Sequence, residues 1–334
     1  MSFGAMRART GESVAQSRDG TRLSAFFREM AVHDWMVFAF LAILNVAVVR
    51  APDRPIKPRC LIEVGSLLLV FLVVAVLVRG RFVRESFWTG LIYRVGIYGP
   101  VQLSYFFLKD VLPLVNEHSL DWELYQLDLD LFGIEPAMAL DRFVNPVTTE
   151  WFAFFYFWYF FLLALHVVPI LFMSRRKDVL GEFAFGMLMI FCIGHTGYML
   201  VPGYGPYRAM ADQFQNAFPS GMWLDMVMRT VQSGGAQKDI FPSLHTGAPA
   251  FIALFSFRNR DKIPFRYTWP AVALFAVNII GATMFLRWHY IIDVVAGLAL
   301  ATAAALIAPR VMRWELNRRS REALGPLWPA LYRD

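Results

Sequence analysis

A bilayer core about 30 Å thick asks roughly 20 consecutive apolar residues of any helix that crosses it. This chain meets that demand repeatedly. Apolar runs at 35–50, 60–78, 91–112, 150–173, 181–201, 242–257, 267–286 and 290–308 predict eight spans, or seven if one of the short ones, the first and the sixth, fails to cross. With 57% of its residues hydrophobic and only 17% charged, the 334-residue chain departs from soluble domains, which are about 25% charged. The fold class expected is therefore all-α, a polytopic membrane helix bundle. The net charge of +6 does not point to nucleic acid, because the basic residues sit in short clusters beside the apolar runs. Cys60 and Cys192 are too few for a disulfide framework.

Those clusters set an orientation. With the N-terminus in the cytoplasm, 21 Lys and Arg fall inside and 8 outside, as the positive-inside rule favours. The loop "RAPDRPIKPR" dissents, being basic yet outside; a first pair of spans dipping into the leaflet as a hairpin would leave the downstream topology unchanged. The expected organisation is a cytoplasmic tail at 1–34, two N-terminal spans at 35–90, a six-helix core at 91–308 and a basic cytoplasmic tail at 309–334. Segment 113–150 carries eight acidic residues and one basic. Its Leu120, Leu124, Leu127 and Leu131 recur at helical spacing, predicting a surface helix within 118–140. Such a helix either roofs a membrane-facing pocket or merely connects two spans.

This count brings three polar stretches to the outer face: "VPGYGPYRAM" after the fifth span, "DIFPSLHTGAP" at the sixth and "RWHYIIDV" at the eighth. His289 and Asp293 are four apart, so on a helix they share a face, and the carboxylate can fix the imidazole's tautomer. His245 follows Pro242, expected in the first helical turn, where the amides after it and the positive helix end favour an anion. Two histidines and a phosphate-like anion suit attack on phosphorus by one and protonation of the leaving oxygen by the other. Taken singly, each piece has a plainer reading: an interfacial anchor for His289 and Asp293, a helix cap for "PSLH", a headgroup-facing Arg208. His245, His289 and Asp293 have the right types for zinc, but no cysteine or further acid stands beside them, and no metal or other cofactor is expected.

Together, "GPYR", "FPSLHTG" and "HYIIDVVAG" resemble the three-part signature of the type 2 phosphatidate phosphatase superfamily. "PSLH" followed by "HYxxD" looks closest to its inositol phosphorylceramide synthase branch. The resemblance covers about residues 91–308 and implies a six-helix phosphatase-type core, leaving the first two spans as an addition. It implies a catalytic trio: His289 as the nucleophile forming a phosphohistidine, Asp293 as its orienting partner, His245 as general acid. Ser243 and the amides around Leu244 would cradle phosphoryl oxygens, with Arg208 as the first motif's arginine. The chain departs from the pattern at three points. Leu244 replaces a glycine, the first motif lacks its lysine, and Thr283 stands where an arginine is usual; Arg287 and Lys238 are the candidate substitutes. His195, Tyr204 and Tyr207 are further candidates to support the site, while His166 lies deep in a span and is read as structural.

The expected activity is metal-independent hydrolysis of a lipid phosphate, with transfer of a phosphoryl headgroup to a lipid or polyol hydroxyl as the alternative. A non-catalytic lipid-binding protein of the same fold is the third option. The expected setting is a bacterial inner membrane, with the site facing the extracytoplasmic side and both termini cytoplasmic. Membrane lipids are the surroundings, and no nucleic acid partner is expected. Phosphatidate, a prenyl pyrophosphate, a ceramide-linked headgroup and a glycolipid phosphate are all compatible with these residues.

Overall fold

The computed structural model describes residues 23–234 and 236–332, so the first 22 residues of the expected tail lie outside it. The regular elements of the described chain are helices, joined by loops. In order come α1 (Val32–Arg50), α2 (Lys57–Arg79), α3 (Phe87–Val115), α4 (Asp121–Phe132), α5 (Pro136–Leu140), α6 (Pro146–Phe157) and α7 (Tyr159–Phe172). Then follow α8 (Lys177–Leu200), the single turn α9 (Pro206–Ala209), α10 (Met222–Gly234), α11 (Leu244–Arg258), α12 (Phe265–Phe285) and α13 (Ile291–Arg321).

Among the described residues, six helices are long and apolar enough to cross a membrane: α1, α2, the pair α6–α7 taken together, α8, α12 and α13. The other two expected spans form helices of different character. α3 has 29 residues, ample length, but carries Arg94, Lys109 and Asp110. α11 has 15 residues, about 22 Å at the helical rise, short of the hydrocarbon thickness. It is instead the buried centre of the bundle, packed against α8, α12 and α13. Small residues permit this: a Cβ on Gly297 of α13 would stand 2.5 Å from the Ser243 carbonyl, and one on Gly247 of α11 would stand 3.3 Å from the Gly297 carbonyl.

The N-terminal helices are part of this bundle, since α1 packs on both α3 and α8. A buried polar knot fastens them. Asp34 of α1 accepts from Arg79 of α2 at 2.7 Å and from the Tyr93 hydroxyl of α3. Arg79 also donates to the carbonyls of Pro326 and Leu327, and Trp328 stacks on His33 with centroids 4.5 Å apart. The segment expected as a basic tail is docked on these helices, with α13 continuing to Arg321 and Glu315 and Arg319 paired at 2.8 Å in the interior. Cys60 and Cys192 are both free and buried.

The acidic segment folds differently from its expected amphipathicity. α4 buries Asp121, Leu124 and Asp128 while Leu127 and Leu131 are exposed. The reason is that Asp121 and Asp128, unlike the exposed Glu123 and Asp130, are acceptors for backbone amides of distant loops. Asp121 takes the N–H groups of Tyr204 and Gly205, and Asp128 those of Ile291 and Ile292. Asp141 takes those of Gln215 and Asn216, and Glu150 those of Trp223 and Leu224. Each carboxylate satisfies two consecutive donors that a loop or a helix start would otherwise leave unpaired. Four acids thus hold four separate pieces of one end of the bundle in register.

Candidate active site

The three polar stretches meet at that end, and the local chemistry explains how. Ser243 is the N-cap of α11, its hydroxyl accepting from the Thr246 amide at 3.2 Å, so Pro242 precedes the helix instead of opening it. The Ser243 amide donates to the Asp293 carbonyl at 3.0 Å, which ties the second stretch to the third. Gly205 ties in the first: its φ of +79° is the left-handed region, and a Cβ there would stand 2.2 Å from the Trp288 carbonyl. Next to it, the Tyr207 amide donates to the Arg287 carbonyl at 2.6 Å.

His289 and Asp293 meet, though not on a helix face. α12 ends at Phe285 and α13 begins at Ile291, leaving His289 in the turn before the helix. Asp293, the third residue of α13, reaches back, and its Oδ2 accepts from the Tyr290 amide at 3.0 Å and from His289 Nδ1 at 3.3 Å. The carboxylate thereby caps the helix and orients the imidazole at once. The break also separates Thr283, inside α12, from Arg287 beyond it, so the expected shared face does not exist.

The rings of His245 and His289 stand 6.3 Å apart, centroid to centroid. At near-attack distances of about 3–3.5 Å, both can reach one tetrahedral group between them. His245 is sandwiched by aromatic rings from the α6–α7 segment: Tyr156 stacks at 4.5 Å and 11°, and Tyr159 lies at 4.2 Å. Its Nε2 is buried without a protein partner. Both histidines line a cavity of about 430 Å³ together with Arg208, Asp239, Tyr204, Tyr207 and Trp288. Burial pushes the His289 imidazole down to about 4, against the opposing charge of Asp239, so it is neutral near pH 7 and has a lone pair to offer.

Of the expected phosphate ligands, Arg208 is exposed, stacked 4.1 Å over Tyr204, and borders the cavity. Leu244 packs its side chain on Gly194, and its amide is in the first turn of α11, where no intrahelical acceptor exists. Lys238 and Arg287 are committed elsewhere. The Lys238 ammonium donates to the carbonyls of Asn116, Glu117 and His118 at 3.1, 2.9 and 3.3 Å. Arg287 pairs with Asp141 at 2.6 Å, donates to the Asn216 carbonyl and lies between the rings of Phe214 and Phe218. Both therefore brace the loops, and neither borders the cavity. His195 pairs with Ser104 at 3.1 Å in the interior, behind Tyr105.

The sequence reading missed several residues that line the cavity or pack on His245. Tyr156 and Tyr159 were hidden in an aromatic run that any interfacial belt would show. The cavity's outer wall comes from α10 (Val227, Met228, Val231) and not from the helix expected at 118–140. Glu150 starts α10 by capping its first amides, and its spaced Leu224, Val227, Met228 and Val231 are the signal that could have revealed it. Asp239, at the head of the second stretch, is another such residue: it lines the cavity and its Oδ2 accepts from the Tyr105 hydroxyl at 2.9 Å.

An all-α membrane bundle with two imidazoles converging on one cavity, one of them braced by a carboxylate, is the build of a protein equipped to handle a phosphoryl group. Comparison of the sequence with known families agrees: the model of the PAP2 superfamily matches residues 122–307, more than half of the chain. The protein belongs to that superfamily, which makes it an enzyme of the lipid-phosphate-acting class. No curated protein and no solved structure matches it. Among the described residues, no group of three or more His, Cys, Asp or Glu side chains could hold a metal ion.

Proposed function

We propose that this protein hydrolyses a lipid phosphate through a phosphohistidine on His289. The observation that carries the reading is the pair of imidazoles 6.3 Å apart over a shared cavity, with Asp293 on one of them. Asp293 holds the Nδ1 proton of His289, leaving Nε2 to attack phosphorus. The phosphorus–oxygen bond to the lipid breaks, and His245 gives its proton to the departing alkoxide. Water then attacks the phosphohistidine, its proton passes to His245, and the phosphorus–nitrogen bond breaks to restore His289. Arg208 and the first-turn amides of Leu244 and His245 offset the charge on the phosphoryl oxygens, and the Ser243 cap fixes that turn.

The apolar wall of Phe106, Phe157 and Phe160 supports a lipid as the molecule that brings the phosphate. The charge bias of the loops supports a site on the extracytoplasmic side of the membrane with both termini in the cytoplasm. α1 and α2 are then an addition to a six-helix core. Transfer to a hydroxyl, as in an inositol phosphorylceramide synthase, is the second reading, favoured by the cover that α10 gives the cavity against bulk water.

The deciding experiment measures phosphate release and headgroup transfer from a panel of lipid phosphates by purified protein. Wild type and His289→Ala run in parallel, with and without EDTA. Phosphate release by wild type, abolished in the variant and indifferent to chelator, is the expected result. An active His289→Ala protein removes the mechanism, and loss of activity in EDTA returns a metal to it.

A further inference from the structure

A carboxylate in a cavity built for an anion is a misfit unless something there gives it a proton. Asp239 is such a group. An isolated parallel bridge to Gly203 fixes its backbone, and its side chain lines the same cavity as His245, His289 and Arg208. Oδ2 is held by the Tyr105 hydroxyl at 2.9 Å, and the Tyr105 ring is held in turn against His195, stacked 6.0 Å away. The carboxyl is pushed up by burial, against the Tyr105 hydrogen bond and the proximity of His289. An ionised carboxylate accepts about four hydrogen bonds; Tyr105 supplies one and the backbone amides of Gln237 and Asp239 contribute beside it, which leaves room for a further donor from the cavity.

We propose that Asp239 selects the nucleophile of the second step, favouring one that carries two O–H donors: water, or a polyol with neighbouring hydroxyls. The inference rests on the phosphohistidine reading of the site. A phosphoryl dianion brings Asp239 no donor, and in the first step the leaving oxygen takes its proton from His245. The incoming nucleophile is the reactant that arrives with protons. As its oxygen bonds to phosphorus, the phosphorus–nitrogen bond breaks, the electron pair returns to His289 and the attacking O–H proton moves to His245. The second O–H stays intact and donates to Asp239. A monohydric alcohol has nothing for that position and leaves the carboxylate facing the phosphoryl group with a hydrogen bond unmade. Asp239 is thus a specificity-determining residue, and the acceptors it favours are compact, neutral and rich in hydroxyls.

The test uses the full chain in mixed micelles with phosphatidate as phosphoryl donor and glycerol or 1-propanol at equal concentration. Inorganic phosphate, glycerol phosphate and propyl phosphate are quantified together, so the readout is a product ratio and not a rate. Wild type is expected to favour glycerol over propanol, and Asp239→Ala to lower that ratio about tenfold to a hundredfold, the weight of a hydrogen bond to a charged acceptor. An unchanged ratio in the variant, or no preference in wild type, overturns the proposal. If wild type releases only inorganic phosphate, new propyl phosphate from Asp239→Ala supports it, and none overturns it. Should Asp239→Ala not fold, the near-isosteric Asp239→Asn replaces it with a smaller shift in the same direction, and no shift there is equally fatal. Samples quenched in alkaline detergent, which preserves the phosphorus–nitrogen bond, are assayed for phosphohistidine throughout. Its presence with an unchanged ratio sinks the role of Asp239 alone, whereas its absence in wild type sinks the parent reading.

Discussion

Gly297→Ala tests whether the spacing of two helices sets the spacing of the two histidines. Gly297 lies in the second turn of α13, against the start of α11. An added Cβ would stand 2.5 Å from the Ser243 carbonyl and 3.0 Å from Thr246 Cβ. Ordinary contact begins at 3.4 Å, so the backbone at Ser243 has to retreat by about 0.9 Å. Ser243 is two residues before His245, and its amide is bonded to Asp293, so the retreat also strains that link. A displacement near 1 Å costs about a hundredfold in rate where two groups must meet at one atom. Overpacking of this size costs about 1–3 kcal/mol of stability. We therefore expect kcat/KM for phosphate release from the lipid phosphate that wild type turns over to fall about a hundredfold, with a fold that persists in a thermal scan. Gly65→Ala in α2 is the control: its Cβ would meet only Asn45 Oδ1, at 3.8 Å. That variant should match wild type in rate and gain up to about 1 kcal/mol as a helix former. A Gly297→Ala protein with wild-type kcat/KM would refute the argument, because the histidine pair would then be indifferent to the seam beneath it.

Three further outcomes follow from the loops around the site. Asp128→Ala removes the acceptor of the Ile291 and Ile292 amides, and should cost about 2–3 kcal/mol in chemical or thermal unfolding and at least about tenfold in rate, since the turn bearing His289 loses its anchor. His289 takes up its proton near pH 4, which sets the acid limb of kcat/KM there, while the basic limb reports loss of the proton that His245 carries as general acid. Between the unfolded value of 6.5 and about 4 the unfolded chain binds the extra proton, so this residue's contribution to stability shrinks as pH drops, and His289→Ala should flatten that slope. Glu135 has the opposite sign: burial pushes its carboxyl up from 4.5 to about 7, so the folded state holds the proton and loses stability as pH rises through that window. Glu135→Gln, which keeps an acceptor for the Met138 amide, should stabilise by about 1–3 kcal/mol above pH 7 and be neutral near pH 4.

The parts of this protein that were legible in its sequence are those governed by a period or a spacing. The apolar runs gave helices at every expected span, and "PSLH" and "HYIID" stood for the pair that converges on the cavity. What could not be read were contacts in which one partner is the backbone. Asp121, Asp128, Asp141 and Glu150 each bind two consecutive amides, and an amide belongs to every residue but proline, so nothing in the loop sequence marks the target. Without that information the acids of α4 read as one polar face opposite its leucines. Lys238 and Arg287 misled for a related reason. A cation near an anion site reads as a ligand, but their donors are taken by carbonyls and by Asp141.

These backbone contacts explain how a site assembled from loops keeps its geometry. The two imidazoles do not touch, and the force that holds them 6.3 Å apart has to come from the segments that carry them. His289 lies in a turn of five residues, 286–290, between two helices, a build that by itself would leave the ring mobile. Asp293 fixes it from the C-terminal side and Asp128 pins the first amides of the same helix, while Arg287, paired with Asp141, pins it from the N-terminal side. His245 has the opposite support, an apolar one: the Tyr156 and Tyr159 rings on its faces and a helix buried at the centre of the bundle. One histidine is thus positioned by charge and the other by packing. Removal of a charged anchor such as Asp128 should disturb the first, whereas changes of side-chain volume such as Gly297→Ala should disturb the second.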